Sequence, residues 1–212
     1  NLLILLALAT FIMVPSGQGF TQELVLNGDL ELWDDANTPT DWPKAENISQ
    51  ATDPVHGGTY SAGHMSADGT QDFQQDITGI VGGANYTISY YFLDNVTDAR
   101  HRIWSYWLDG DTYLDDNEEE LRPTTYSSNS PDWQHYSVSL TAPANADGFR
   151  FEVRVYKEDG SFGGLVYYDD FSVMAAGISP EPTNYPTDFT ATASGIIINL
   201  GWTDATGEQL PG

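Results

Sequence analysis

The chain has no cysteine. That absence removes a disulfide framework, a thiolate metal site and a cysteine nucleophile, and leaves a bound metal as the means of stapling the fold. Basic residues are also scarce, with 7 Lys and Arg against 31 Asp and Glu and a formal charge of −24. Nucleic-acid surfaces show a basic footprint, so nucleic acid is not an expected partner. Long apolar runs are missing as well. The run from Leu2 to Val14 falls short of the roughly 20 residues that cross a bilayer, so no membrane span is expected. It has no polar face and is followed by the small and polar residues of Pro15–Gln22. It therefore reads as the apolar part of a secretory signal, with residues 1–22 a partial signal peptide and the protein secreted to the extracellular space. Position 1 is Asn and no basic segment precedes the run, so the chain reads as starting inside that signal.

Catalytic signatures are lacking too. No G-x-S-x-G stretch occurs, and His56, His64, His101 and His135 are spaced unlike any zinc signature, which makes them surface or turn residues. A glycosidase needs two carboxylates about 5 to 10 Å apart across a sugar cleft, and nothing singles out such a pair among so many acids. No 3.6-residue apolar period holds anywhere in the body, and no internal repeat is present.

What the chain does have is core material, 40% hydrophobic and 13% aromatic, arranged with a period of two between clusters of Gly, Asn, Asp and Pro. This pattern predicts an all-β fold, a two-sheet β-sandwich or jelly roll, with strands near 24–33, 59–66, 71–78, 84–93, 100–108, 133–141, 147–157 and 165–174. Alternation assigns faces. Phe149, Phe151, Val153 and Val155 share the inner side of one strand, which leaves Arg150, Glu152, Arg154 and Tyr156 outside. In 84–93 the inner set is Tyr86, Ile88, Tyr90 and Phe92, with Tyr91 and Leu93 outside. Placing Ile103 inward turns Arg100, Arg102, Trp104 and Tyr106 outward.

A basic and aromatic sheet face results, in which Arg102, Trp104, Tyr106, Arg154 and Tyr156 join Tyr91. Rings offer flat apolar platforms, and arginine forks pair with hydroxyls or carboxylates. The alternative is plain cross-strand pairing of these arginines with acids such as Glu152.

Two further stretches, LVLNGDLELW at 24–33 and LVYYDDFSV at 165–173, each set carboxylates among apolar residues. A sandwich commonly brings its first and last strands together, so Asp29 and Glu31 can meet Asp169 and Asp170 around one cation. Calcium suits such ligands, because it takes oxygens from carboxylates, hydroxyls and carbonyls. The alternative is that these acids cap turns or face solvent. DGDTYLDDNEEE, residues 109–120, has several oxygen ligands at EF-hand spacing but Leu114 in place of the required glycine, and reads as a solvated loop.

LVLNGDLELW, Pro39 and Trp42, HGGTYSAGHMS at 56–66, YTISYYFLD at 86–94, DWQHYSVSLTAP at 132–143 and VYYDDFSV at 166–173 together resemble the CenC-type carbohydrate-binding modules over residues 24–174. The resemblance implies a galactose-binding-like β-jelly roll with a structural calcium ion. Glu31 and Asp169 are its side-chain ligands, and Asp29, Gly58 and Ser61 offer carbonyls or a hydroxyl. It also implies a non-catalytic module that binds polysaccharide through Tyr91, Arg102, Trp104, Tyr106, Arg154 and Tyr156. The basic face adds an expectation of an anionic glycan. Leu30 stands where the family usually has an aromatic residue. Two other readings remain: a structural spacer or adhesion module, and a carbohydrate-active enzyme domain.

Residues 23–176 form the expected module, and the proline-rich stretch 177–186 a linker. Residues 187–212 resemble the opening strands of a fibronectin type III domain, with Trp202 at the place of its core tryptophan, and the chain reads as cut within that domain.

Overall fold

The computed structural model describes residues 22–175, 187–194 and 197–203. In chain order the first strands are β1 (Trp33–Asp35), β2 (Thr38–Pro39), β3 (Lys44–Ala45), β4 (Ile48–Ala51), β5 (Ser61–Met65), β6 (Gln71–Thr78) and β7 (Asn85–Asp94). There follow β8 (Arg100–Ile103), β9 (Tyr106–Asp109), β10 (Thr112–Leu114), the one-turn helix α1 (Glu118–Leu121), β11 (Gln134–Thr141), β12 (Gly148–Tyr156) and β13 (Leu165–Ala175). Strands β14 (Thr187–Ser194) and β15 (Ile197–Thr203) belong to a separate compact unit and pair with each other antiparallel. The signal-peptide reading on residues 1–22, all but its last residue, and the linker 177–186 lie outside the described residues. Among the described residues no helix is long and apolar enough to cross a membrane.

Two antiparallel sheets build the module. The first runs β10-β9-β12-β6-β3, with β8 also paired to β12, and the second runs β11-β7-β13-β5-β4. Their inner faces interdigitate as the alternation requires: Phe149, Phe151, Val153 and Val155 of β12 are buried against Tyr86, Ile88 and Tyr90 of β7 and Tyr168, Phe171 and Val173 of β13. Edge-to-face contacts of Phe151 with Tyr90 and with Phe171, at ring-centroid distances of 5.9 and 5.1 Å, tie the layers together. Each such side chain taken out of water contributes about 1.5–3 kcal/mol. The fold class is therefore all-β, a two-sheet sandwich, as the period-2 pattern predicts.

Several local expectations change. Residues 24–32 form no strand but an irregular segment with a turn at 26–29, because Asn27 and Leu30 adopt positive φ values of 48° and 53°. The segment still runs beside the last strand, with the Leu24 amide donating to the Val173 carbonyl at 3.1 Å and the Phe171 amide to the Gly28 carbonyl at 2.8 Å. The stretch 100–108 is interrupted at Trp104–Ser105, where the Ser105 hydroxyl bonds the backbone of Glu152 in place of a ladder partner. Glu152 and Leu93, expected outside, are buried. His64 and His101, expected at the surface or in turns, lie in the core. A register shift in β13 between Asp169 and Ser172, with Asp170 at φ 51°, inverts the parity of the strand. Asp169 thus lies opposite the core face of Phe171 and Val173, not on it.

Candidate ligand-binding face and loop clamp

On the outer face of the first sheet, β8 lies against β12 with Arg102 opposite Arg154 and Arg100 opposite Tyr156. Like charges directly across a ladder repel, so the face is stable only if something intervenes. Carboxylates and rings do so. The Arg154 guanidinium pairs with Glu152 at 2.5 Å and Asp72 at 3.1 Å, and Arg150 holds both oxygens of Asp76 at 2.7 and 2.8 Å. Arg102 donates to the Pro123 carbonyl at 2.9 Å and lies 4.3 Å from the Trp104 ring centroid, and Arg154 lies 4.8 Å from the same ring. Tyr106 carries the buried Arg122 guanidinium over its ring at 4.1 Å. Burial pushes the Glu152 carboxyl above its usual range, and Arg154 draws it back.

Five of the six expected ligand residues, Arg102, Trp104, Tyr106, Arg154 and Tyr156, therefore share one face. Tyr91 does not join them. It sits on β7 in the second sheet, stacked between His56 at 3.6 Å and His135 at 4.3 Å. Alternation orients a residue within its own strand but cannot say which sheet the strand enters. Tyr126, whose ring takes Arg100 at 3.9 Å and Arg102 at 4.6 Å, was not foreseen, because its segment carries no periodic signal. Tyr113, bonded to Arg150, was missed for the same reason. The expected pairing of arginines with acids is present at Arg150 and Arg154. Arg100 and Arg102 have no carboxylate partner among the described residues.

The acids from the two ends of the module converge on one loop. Glu31 Oε1 accepts the amides of Thr59 at 2.8 Å and Tyr60 at 3.0 Å, while Asp169 Oδ2 accepts those of His56 at 2.9 Å and Gly57 at 3.1 Å. Gly58, between the two grips, has φ +60°, and a Cβ there would lie 2.2 Å from Glu31 Oε1. The Ser61 hydroxyl donates to the Pro54 carbonyl at 2.6 Å, and Asp29 is exposed. Asp170 is engaged elsewhere, with His56 Nδ1 at 2.6 Å.

Asp169 is 0% exposed, and burial pushes its carboxyl up to about 6 although neighbouring amides pull it down. Neither Glu31 nor Asp169 has a Lys or Arg partner among the described residues. Backbone amides are their partners instead, the Asp170 amide also donating to Asp169 Oδ1 at 2.9 Å, and a hard cation would have to use the carboxylate lone pairs that these bonds leave. No group of three or more His, Cys, Asp or Glu forms a metal cluster among the described residues, so backbone carbonyls and water would have to complete the shell.

No protein-family model matches the chain, and no curated protein does. Solved structures do resemble it. One is the enzymatically active domain of bacteriophage CBA120 tailspike protein 4, 12% identical, with a TM-score of 0.51, covering 72% of this chain but 21% of that one. A family 16 carbohydrate-binding module is 19% identical at a TM-score of 0.47, covering 71% of this chain and 98% of that one. A further module, solved with β-1,4-galactotriose, is 12% identical at 0.49 and covers 72% and 97%. At these identities the likeness concerns the fold.

Proposed function

We propose that residues 23–176 are a non-catalytic carbohydrate-binding module of the CenC type within a secreted multidomain protein, and that its ligand is a polysaccharide. The observation that carries this reading is the arrangement of Arg102, Trp104 and Arg154. An indole held in place by two guanidinium groups is a rigid stacking surface, and the bonded arginines and carboxylates around it are fixed partners for sugar hydroxyls. An anionic preference would rest on Arg100 and Arg102 alone, since Arg150 and Arg154 are already paired.

A structural calcium ion belongs to the proposal. Glu31 and Asp169 would hold it, with carbonyls of Asp29 and Gly58 and the oxygen of Ser61 as further donors. Its contribution would be to neutralise the two acids and fix the 54–61 loop. Residues 187–212 are read as the opening of a fibronectin type III-like domain.

A glycan array probed with the full chain in calcium-containing buffer tests the reading. Retention on a defined class of polysaccharide is expected, and an empty array would overturn it. The paired state of Arg150 and Arg154 favours a second reading, a spacer module that positions its neighbours, for which the array stays empty and the fold intact.

A further inference from the structure

Strand β8, on the first sheet, and β11, the edge of the second, flank an opening that the segment 119–127 crosses. The segment is fastened on both sides. The Ser127 amide donates to the His101 carbonyl at 2.8 Å and the Ser127 hydroxyl accepts the His101 amide at 2.8 Å. Arg102 holds the Pro123 carbonyl, and the Tyr136 hydroxyl donates to the Glu120 carbonyl at 2.7 Å. Beneath this strap is a cleft of about 380 Å³, within the range of small-ligand sites.

Its walls combine two kinds of surface. Phe92, Tyr136, Val138 and Ile103 supply apolar faces and Thr125 a hydroxyl, while the Ser127 hydroxyl at the border already serves the His101 amide and Asp94 Oδ2. The ring of His101 borders the cleft, is 2% exposed, and has no hydrogen-bond partner at either nitrogen. Rings beside the Thr125 hydroxyl and the unpartnered His101 nitrogens match the C–H faces and hydroxyl rim of a sugar. The mouth carries two exposed carboxylates, Glu119 and Glu120, without a basic partner among the described residues. Against them stands the single Arg102 guanidinium, which is engaged by the Pro123 carbonyl and the Trp104 ring, so the balance there is negative. A carboxylate or sulfate on an entering sugar would meet two like charges.

We propose that this cleft is a second carbohydrate subsite, distinct from the Trp104 face, and that it takes a neutral sugar unit. This rests on the carbohydrate-binding reading above. Arg102 borders the cleft and also carries its guanidinium over Trp104, so one glycan can lie on the face and pass an end into the cleft.

The test is calorimetric titration of the full chain with cellohexaose, mannohexaose and trigalacturonate. It is repeated on Thr125→Trp and Val138→Phe, which fill the cleft from opposite walls, and on Trp104→Ala. Binding of a neutral hexasaccharide is expected, weakened at least about tenfold by either filling substitution while the melting temperature of Thr125→Trp stays unchanged. Affinity lost in Trp104→Ala but untouched in both filling variants would overturn the cleft and leave the proposed function standing. Binding of trigalacturonate alone would overturn the neutral ligand. No heat from any probe, together with an empty array, would overturn the carbohydrate reading itself.

Discussion

Glu31 and Asp169, from opposite ends of the module, grip consecutive parts of the same loop, Glu31 through Thr59 and Tyr60 and Asp169 through His56 and Gly57. Hydrogen bonds to a charged acceptor contribute about 1.5–3 kcal/mol each, and a buried amide left without one costs about as much. Asp169→Ala is therefore expected to destabilise the module by about 3–5 kcal/mol, read as a lowered midpoint in urea. A midpoint within error of the parent would show that the loop stands without this grip.

Gly58→Ala tests the same closure from the loop side. A methyl group there meets Glu31 Oε1 at 2.2 Å in a backbone conformation at φ +60°, so the carboxylate has to withdraw from Thr59 and Tyr60. A loss of about 2–4 kcal/mol is expected. Gly69→Ala, where an added Cβ meets nothing within 4 Å, is the control and should be close to neutral.

Acid sensitivity follows from the two core histidines. Burial lowers His64 and His101 to about 3 from an unfolded value of 6.5. The unfolded chain then binds more protons than the folded one as pH falls from 6.5 to 3, so their contribution is complete above 6.5 and drains away toward 3. Asp169, raised from 3.8 to about 6 by burial, acts in the opposite sense between those two values. Two groups shifted by more than three units outweigh one shifted by about two. Stability should fall by on the order of a few kcal/mol between pH 7 and about pH 4.5. Urea titrations at the two pH values check this, and His101→Phe should flatten the difference.

Calcium adds a separate expectation. Mass action predicts a stabilisation of about 2.7 kcal/mol when the free ion exceeds its dissociation constant a hundredfold. Scanning calorimetry with calcium and with EDTA should show a higher melting temperature with the ion, and Glu31→Gln should remove the difference. Identical traces for the unsubstituted chain would eliminate calcium from the account.

Much of this architecture was legible in the alternation of single strands. Phe149 to Val155 announced the core face of β12, and Ile103 inward correctly turned Arg102, Trp104 and Tyr106 out. The misreadings share one physical cause, which is that they depend on partners distant in the chain. Tyr91 was oriented correctly within β7 but assigned to the wrong sheet. His64 occupies an inward position of β5, although an imidazole without a hydrogen-bond partner is an unusual core residue. The parity break at Asp170 and the positive φ of Leu30 arise where turns and bulges override a pattern of two. Glu31 and Asp169 reach the same loop because the ends of a sandwich are brought together by its topology, while the amides they hold could not be foreseen.

The carbohydrate-binding claim is tested most directly by matched titrations of the best array ligand into the parent chain, Trp104→Ala and Tyr91→Ala, with melting temperatures recorded beside them. The account predicts that Trp104→Ala weakens binding by about 1–3 kcal/mol, the loss expected of a stacking platform, with its melting temperature little changed, and that Tyr91→Ala binds like the parent. Parent-like affinity in Trp104→Ala with loss in Tyr91→Ala would contradict it and move the site to the opposite sheet.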